Sequence, residues 1–515
     1  MNSALATLAD LNTDELREMV TGLLQKVANN TAQIQFKQAL IDKLTYENAV
    51  LKRLKFGLMS ERMNAEQRSL LDETLDADLA AVADEIARAQ PVSAAAQEKR
   101  KPKRQALPAE LPRQTFTHEP ESTVCTATGC GSQMKRIGED VSEKLDYVPG
   151  VFCVHRHVRG KWACACCQTL VQVAVEPHII DKGIPTPGLL AQVLINKFAD
   201  HLPLHRQEAI FGRAGVALPR STLAQWVGSC GVELQPLVDA LKRDIFRRSV
   251  IHADETPVQM LKPGHGKTHR AYLWAYAAGA HEDIKAVVYD FCESRAGANA
   301  KAFLDEWRGS LVVDDFSGYK QLMGDASAQI TEVGCWAHAR RKFHDLQLAN
   351  QSQIAEQAVR QIAQIYAVER EVKELSAEDR LRIRQEKSQP LVQTLHDWLM
   401  LNRQKVPEGS ATAKAIDYSL RRWKALTRFL QDGQLPVDNN WIENQIRPIA
   451  IGRNNWLFAG SLRAGQRAAA VMSLIQSAKL NGHDPHAYLK EVLTRLPTHM
   501  NSRIDELLPH RWNRA

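Results

Sequence analysis

Two aspartates that close apolar runs and one glutamate on a helical pattern are the residues of this chain best placed to do chemistry. SVIHADETPVQM (Ser249–Met260) reads as a buried strand ending at Asp254, and SLVVDDFSGY (Ser310–Tyr319) as another ending at Asp314. In VDNNWIENQIRPIAIGRNNWLFAGS (Val437–Ser461), Asn440, Glu443 and Arg447 recur at helical spacing on one polar face, while Ile442, Ile446 and Ile449 form an apolar face that fixes where Glu443 points. Acids at strand ends often do no more than cap the next turn. Gathered in one cleft, however, carboxylates repel one another unless cations bridge them, so the set implies divalent metal. Mg²⁺ or Mn²⁺ held by oxygen ligands can activate a water or a 3′-hydroxyl and stabilise the leaving oxygen of a phosphodiester.

A second constellation is built on sulfur. Of nine cysteines, five fall in two tight groups, CTATGC (Cys125–Cys130) and CACC (Cys164–Cys167). Paired thiolates on hairpin-like turns at this separation can close a tetrahedral zinc site and staple a small module, with Cys125, Cys130, Cys164 and Cys167 as the ligand set. Cys166 competes with Cys167, and His155 or His157 could substitute. The role would be structural.

The elements that must position these residues follow from the rest of the chain. A length of 515 residues divides into several domains, and the formal charge of +7 is concentrated in clusters such as KRKPKR (Lys99–Arg104) and HARRKFH (His338–His344), which attract polyanions. The N-terminus has no basic leader followed by an apolar run, and no stretch approaches the roughly 18 apolar residues of a membrane span. A soluble, cytoplasmic protein is expected, with no membrane partner. From Val20 to Leu51 the positions Val20, Leu23, Val27, Ile34, Ile41, Leu44 and Leu51 form a heptad seam interrupted by Asn30, Lys37 and Asn48, predicting a coiled coil and self-association as a homodimer or higher oligomer. Residues 74–113, rich in Ala, Glu, Lys, Gln and Pro, read as a basic flexible linker. Short helices follow, with Ser221 and Thr222 as caps and either a helix-turn-helix or a plain connector as the outcome. Five β-like runs with one helix between the third and fourth fit an α/β layer of the ribonuclease H type, and no glycine-rich phosphate loop is present. A charged helical stretch precedes Glu443, and two packing helices close the chain.

HADETP around Asp254, DDFSGY from Asp314, GCWAHARRKF from Gly334 and NNWIENQIRPIAIGRNNWLFAGS from Asn439 resemble the DDE transposases of the insertion sequence 66 family. The resemblance runs through FGLMSER, IGEDVSEKLDYVPG and HLPLHRQ to the C-terminal AKLNGHDPHAYL. It implies that Asp254, Asp314 and Glu443 are the catalytic triad, and that Glu255 and Asp315 are not. The family's second motif usually reads Asp-Gly-Tyr, so Asp315 stands at the glycine and Phe316 at the ring. Cys335 and His338 resemble a pair found before the helical insertion in such enzymes. Arg340, Arg341, Arg447 and Arg453 could hold DNA phosphates, and Trp456 could stack on a DNA end. Their plain alternatives are salt bridges, including Glu443 with Arg447, and a place in the core.

The expected architecture is α/β: a coiled-coil, leucine-zipper-like segment (1–73), the linker (74–113), a zinc-finger-like module (114–175), a helical DNA-binding region (176–240), a ribonuclease H-like catalytic domain (241–462) with an all-helical insertion at about 345–435, and a C-terminal helical segment (463–515). The expected function is a bacterial, nucleoid-associated transposase that binds the terminal repeats of its own element, cleaves double-stranded DNA and transfers the 3′-hydroxyls to a target. Small companion proteins from the same element are implied by the resemblance. The rival readings are a repressor or inactive element remnant without catalysis, and a metal-dependent nuclease that cuts without strand transfer.

Overall fold

The structure, a computed structural model, describes residues 36–52, 65–89 and 107–513 apart from 129, 149, 181–182, 263–266, 324–328 and 351, together with residues 26, 30, 33 and 34. It is a mixed α/β protein with two mixed sheets. The heptad residues Val20, Leu23 and Val27 lie outside the described residues.

The first sheet is organised by a long hairpin. Strands β2 (Met134–Val148) and β3 (Val151–Cys164) pair antiparallel, β1 (Arg113–His118) adds in parallel to β3, and β4 (Leu170–Val171) pairs with the end of β3. Helix α3 (Pro187–Phe198) follows, started by Pro187 at its first position and by the Thr186 hydroxyl, which accepts from Leu189 N–H. Next come α4 (Leu204–Arg213) and α5 (Arg220–Ile245). Neither Ser221 nor Thr222 caps α5. The cap position is Pro219, which has no side-chain acceptor, and the Glu208 carboxylate takes the Arg220 N–H instead at 3.1 Å.

The second sheet has the order β7-β6-β5-β8-β9, with β5 (Val250–Met260) central, β6 (His269–Ala278) and β7 (Val287–Cys292) antiparallel on one side, and β8 (Gly309–Val313) and β9 (Ile330–Gly334) parallel on the other. Helix α6 (Gly297–Leu304) connects β7 to β8. β7 is an edge, and its free backbone groups are met by a helix: Ser473 Oγ accepts from Tyr289 N–H at 2.8 Å and Ser477 Oγ from Val287 N–H at 3.0 Å.

After β9 the chain turns helical: α8 (Trp336–Asn350), α9 (Gln353–Val372), α10 (Ala377–Ile383), α11 (Gln389–Arg403), α12 (Ala411–Arg421) and α13 (Trp423–Leu426), with α7 (Ser317–Met323) lying earlier, between β8 and β9. These helices bury their own cluster, including Trp336, Phe343, Ile362, Leu395 and Ile416. The chain then returns to the sheet as α14 (Asn440–Gly452), α15 (Leu462–Leu480) and α16 (Pro485–Arg495). Ile442, Ile446 and Ile449 of α14 are buried in the main core, and Asp484 caps α16 as its position before Pro485 suggests.

The N-terminal region differs from the sequence reading. Residues 74–89 are not a linker: they continue helix α2 (Ala65–Ala89), whose Leu70, Leu71, Leu75, Ala77, Ala81 and Val82 are buried. The acids that made this stretch look solvated are matched by distant cations, with Lys197 on Glu73 and Arg467 on Asp78 at 2.9 Å. Helix α1 (36–52) lies against α2, so the seam residues Leu44 and Leu51 pack on Leu71, Leu75 and Val82 of their own chain, while Ile34 is 66% exposed.

Candidate active site

Backbone register brings two of the acids together. β5 and β8 pair in parallel as Val250↔Ser310, Ile251↔Leu311 and His252↔Val312. Asp254 and Asp314 each stand two residues beyond the last pair, so both side chains leave the same face, about one strand spacing of 4.8 Å apart. Asp254 does not end its strand. β5 runs on to Met260 because β6 keeps pairing with it as far as Met260↔His269, whereas β8 stops at Val313. The acid thus sits where β5 loses one neighbour and a cleft opens.

The adjacent acids are neutralised. Glu255, on the opposite face, has no exposed side-chain surface; it is paired with Arg295 at 2.5 Å and accepts from Tyr319 Oη at 2.9 Å. Asp315 is paired with Arg422 at 2.6 Å and Lys320 at 2.7 Å. Arg422, reaching in from the helical insertion, also donates to the Asp314 carbonyl at 3.1 Å, and Asp314 Oδ1 accepts from Phe316 N–H at 2.9 Å. Among the described residues, Asp254 has no such cation. Burial, then the charges of Glu255, Asp314 and Glu443, push its carboxyl well above the usual carboxylate value.

Glu443 comes from the first turn of α14, its N–H bonded to the Asn439 carbonyl at 3.3 Å. Its ion pair among the described residues is with Arg341 at 3.6 Å rather than with Arg447, which is exposed, and the His338 ring, whose pKa burial lowers, lies 3.8 Å away. Its Oε1 is buried and has no hydrogen-bond partner among the described residues. One donor atom each of Cys335, His338 and Glu443 lies within 4.8 Å of the others, and burial pushes the Cys335 thiol up to about 12. The oxygen donors of Asp254, Asp314 and Glu443 are the kind a hard divalent cation such as Mg²⁺ takes, and Asp254 feels the charge of the other two, although the three are not gathered within 4.8 Å of one another as the cysteines are.

The basic and aromatic candidates separate. Arg340 and Arg341 are exposed on α8, Arg341 beside Glu443, and Arg447 is exposed on α14. Arg453 is instead engaged with the end of β5, donating to Thr256 Oγ1 at 3.2 Å and the Pro257 carbonyl at 2.5 Å. Trp456 is half-buried, its Nε1 donating to His201 at 3.3 Å in an apolar cavity shared with Leu70, Phe198 and Phe458. Sequence reasoning missed Asn439, Arg295 and Arg422. The doubled Asn439-Asn440 before WIEN was the one local signal, because the partners of all three are remote in sequence.

The cysteines converge as expected. Sγ atoms of Cys125, Cys130, Cys164 and Cys167 lie within 4.8 Å of one another, with Cys125–Cys167 at 3.2 Å and Cys130–Cys164 at 3.6 Å. The Ser132 hydroxyl beside Cys164 is the main influence pulling that thiol down to about 6, which favours the thiolate a metal needs. Cys166 is exposed and outside the group, and His155 bonds Asp146 at 3.2 Å instead. Four sulfurs in this arrangement fit a closed structural zinc. Among the described residues, no helix is long and apolar enough to cross a membrane.

Comparison with known proteins agrees segment by segment. Residues 182–467 match "Transposase IS66 family", 473–510 the "IS66 C-terminal element", 123–168 the "zinc-finger binding domain of transposase IS66", and 43–115 "Transposase C of IS166 homeodomain". Two proteins of Sinorhizobium fredii (strain NBRC 101917 / NGR234) are collinear relatives. One, "Uncharacterized protein y4qI", is 37% identical over 539 residues and 98% of both chains; the other, "Uncharacterized protein y4hP", is 34% identical over 490 residues, 90% of this chain and 88% of its own. The matches cover in order the leucine-zipper-like region, the cysteine module, the sheet that carries the acids and the final helices, and the chain therefore belongs to the IS66 transposase family.

Proposed function

We propose that this protein is the DNA transposase of a bacterial insertion sequence, acting on the ends of its own element through a ribonuclease H-like centre in which Asp254, Asp314 and Glu443 hold divalent metal. The observation that carries the reading is the contrast among the acids: Glu255 and Asp315 are matched at 2.5–2.7 Å by Arg295, Arg422 and Lys320, whereas among the described residues Asp254 has no cation and Glu443, with Arg341 no nearer than 3.6 Å, keeps an oxygen that accepts no hydrogen bond. The strand order β7-β6-β5-β8-β9, with Glu443 returning after the insertion, supports the ribonuclease H-like assignment. When bound, Mg²⁺ or Mn²⁺ would supply Lewis acidity and an activated oxygen nucleophile.

The chain's own residues orient the reactants. Asp254 and Asp314 present two carboxylates from one sheet face, and Glu443 closes the third side from α14. Arg340, Arg341 and Arg447 sit where phosphates flanking the scissile bond would pass. Arg453 and Trp456 hold the turn after α14 in place, and any DNA contact of theirs is made through that turn. The zinc module and the helices after it grip the terminal repeats. The exposed start of the heptad seam, at Asn30 and Ile34, pairs two protomers so that two element ends are held together on the nucleoid, with companion proteins of the element as further partners.

The test is a labelled duplex carrying an element end, incubated with wild type, Asp254→Asn or Glu443→Gln and with Mg²⁺ or EDTA. Metal-dependent cleavage and joining in wild type alone, with DNA binding intact in all three, is the expected result. Cleavage without joining would favour the nuclease, and binding without strand chemistry the repressor.

A further inference from the structure

Asn439 stands where the Glu443 helix meets the Asp254 strand, and it does not behave as an ordinary helix cap. An Asn at this position normally accepts a hydrogen bond from its own first turn, but here the side chain makes no such bond. The neighbouring Asp438 takes the Asn440 N–H instead, at 3.0 Å. The Asn439 amide, 1% exposed, is directed across to β5.

Its Nδ2 donates to the Ala253 carbonyl at 2.9 Å. A carbonyl only accepts, so the amide is fixed with Oδ1 toward His252 Nδ1, 2.7 Å away. His252 therefore carries a proton on Nδ1 and donates it. The ring is fully buried, burial holds its pKa down at about 4, and its Nε2 has no partner among the described residues. His252 precedes Asp254 by two positions, so both leave the same face of β5. The backbone of Asn439 completes the junction: its N–H donates to Cys335 Sγ at 3.2 Å and its carbonyl accepts from Glu443 N–H at 3.3 Å.

We propose that Asn439 is a positioning residue of the reaction centre: its grip on His252 and the Ala253 carbonyl sets the distance between Asp254 and Glu443, and with it the affinity of the carboxylates for a divalent cation. This rests on reading Asp254, Asp314 and Glu443 as the metal-holding acids. Asp254 and Glu443 arrive from elements far apart in sequence, and the Asn439 side chain bonds directly to the residues just before Asp254. Residues that orient metal ligands in this way typically change metal affinity 10–100-fold when lost.

The experiment measures Mn²⁺ binding to the purified full chain from the electron paramagnetic resonance signal of free Mn²⁺, alongside circular-dichroism melting. Asn439→Ala, Asn439→Asp and His252→Leu are compared with Asp254→Asn and Glu443→Gln. Asn439→Asp keeps the volume and the acceptor for His252 but turns a lone pair onto the Ala253 carbonyl. His252→Leu breaks the same link from the other side without touching the helix. A folded variant of this link that binds Mn²⁺ about 10–100-fold more weakly supports the proposal. Folded variants within about twofold of wild type overturn it, whatever their melting temperature. If Asp254→Asn and Glu443→Gln also bind Mn²⁺ like wild type, the metal reading itself fails; if they lose it while the Asn439 and His252 variants do not, only the positioning role fails.

Discussion

Arg384 offers a sharp test of how the helical insertion delivers the chain to the Glu443 helix. It lies on a π-helical turn, Arg384–Ser388, and its side chain has no exposed surface. Nε and Nη2 hold Glu369 at 2.8 and 2.6 Å, while Nη1 donates to the carbonyls of Phe429 at 3.0 Å and Leu435 at 2.9 Å, in the segment leading to α14. Arg384→Met retains most of the aliphatic stem. It leaves Glu369, whose side chain is 12% exposed, without its cation and leaves two carbonyls without a donor. Breaking a buried pair costs about 3–5 kcal/mol, and each bond from a charged donor contributes about 1.5–3 kcal/mol. These contributions share one side chain and do not add, so the expected loss is about 4 kcal/mol. Urea unfolding followed by tryptophan fluorescence, to which Trp336, Trp398 and Trp423 of the insertion contribute, measures it. Adding Glu369→Leu should recover part of the loss, because an unmatched buried charge is worse than none. A single-variant loss under about 1 kcal/mol, or a double variant that costs the sum of the two singles, would refute the reasoning.

Two further predictions concern the first sheet. Burial works against ionisation of Asp146, but hydrogen bonds from His155 and Thr186 outweigh it and hold the carboxyl at about 2, below its ordinary 3.8. A depressed carboxyl stabilises the fold above its unfolded value and loses that contribution as pH falls toward the folded one, so Asp146→Asn should cost about 2 kcal/mol at pH 7 and almost nothing near pH 2. Thermal unfolding at both pH values checks this, and equal stability of the two proteins at pH 7 would contradict it. For the cysteine module, Cys164→Ser should abolish zinc retention and Cys166→Ser should leave it intact, measured as metal content after gel filtration; full zinc in Cys164→Ser would remove Cys164 from the ligand set.

What could be read in advance follows from how local each signal is. The five β-like runs and the isoleucine stripe of α14 were legible because period and burial are properties of short segments. The four clustered thiols were legible from spacing. Helix α2 was not, because Glu73, Asp76 and Asp78 give it the composition of a solvated segment. The cations that pair with Glu73 and Asp78, Lys197 and Arg467, lie more than a hundred residues away. The heptad period of α1 was visible, but period alone does not name a partner, and Leu44 and Leu51 found one in α2. Trp456 and Arg453 read equally well as DNA contacts or as packing, and hydrogen bonds to His201, Thr256 and Pro257 engage both within the protein.

The central claim is that Asp254, Asp314 and Glu443 share divalent metal. Anomalous scattering from crystals of the protein soaked in Mn²⁺ tests it most directly. Manganese peaks are expected within coordination distance of all three carboxylates, about 2.0–2.2 Å for a hard divalent ion of this size, with loss of the peaks in Glu443→Gln. Manganese bound elsewhere with this cleft empty, or peaks undiminished in Glu443→Gln, would contradict it.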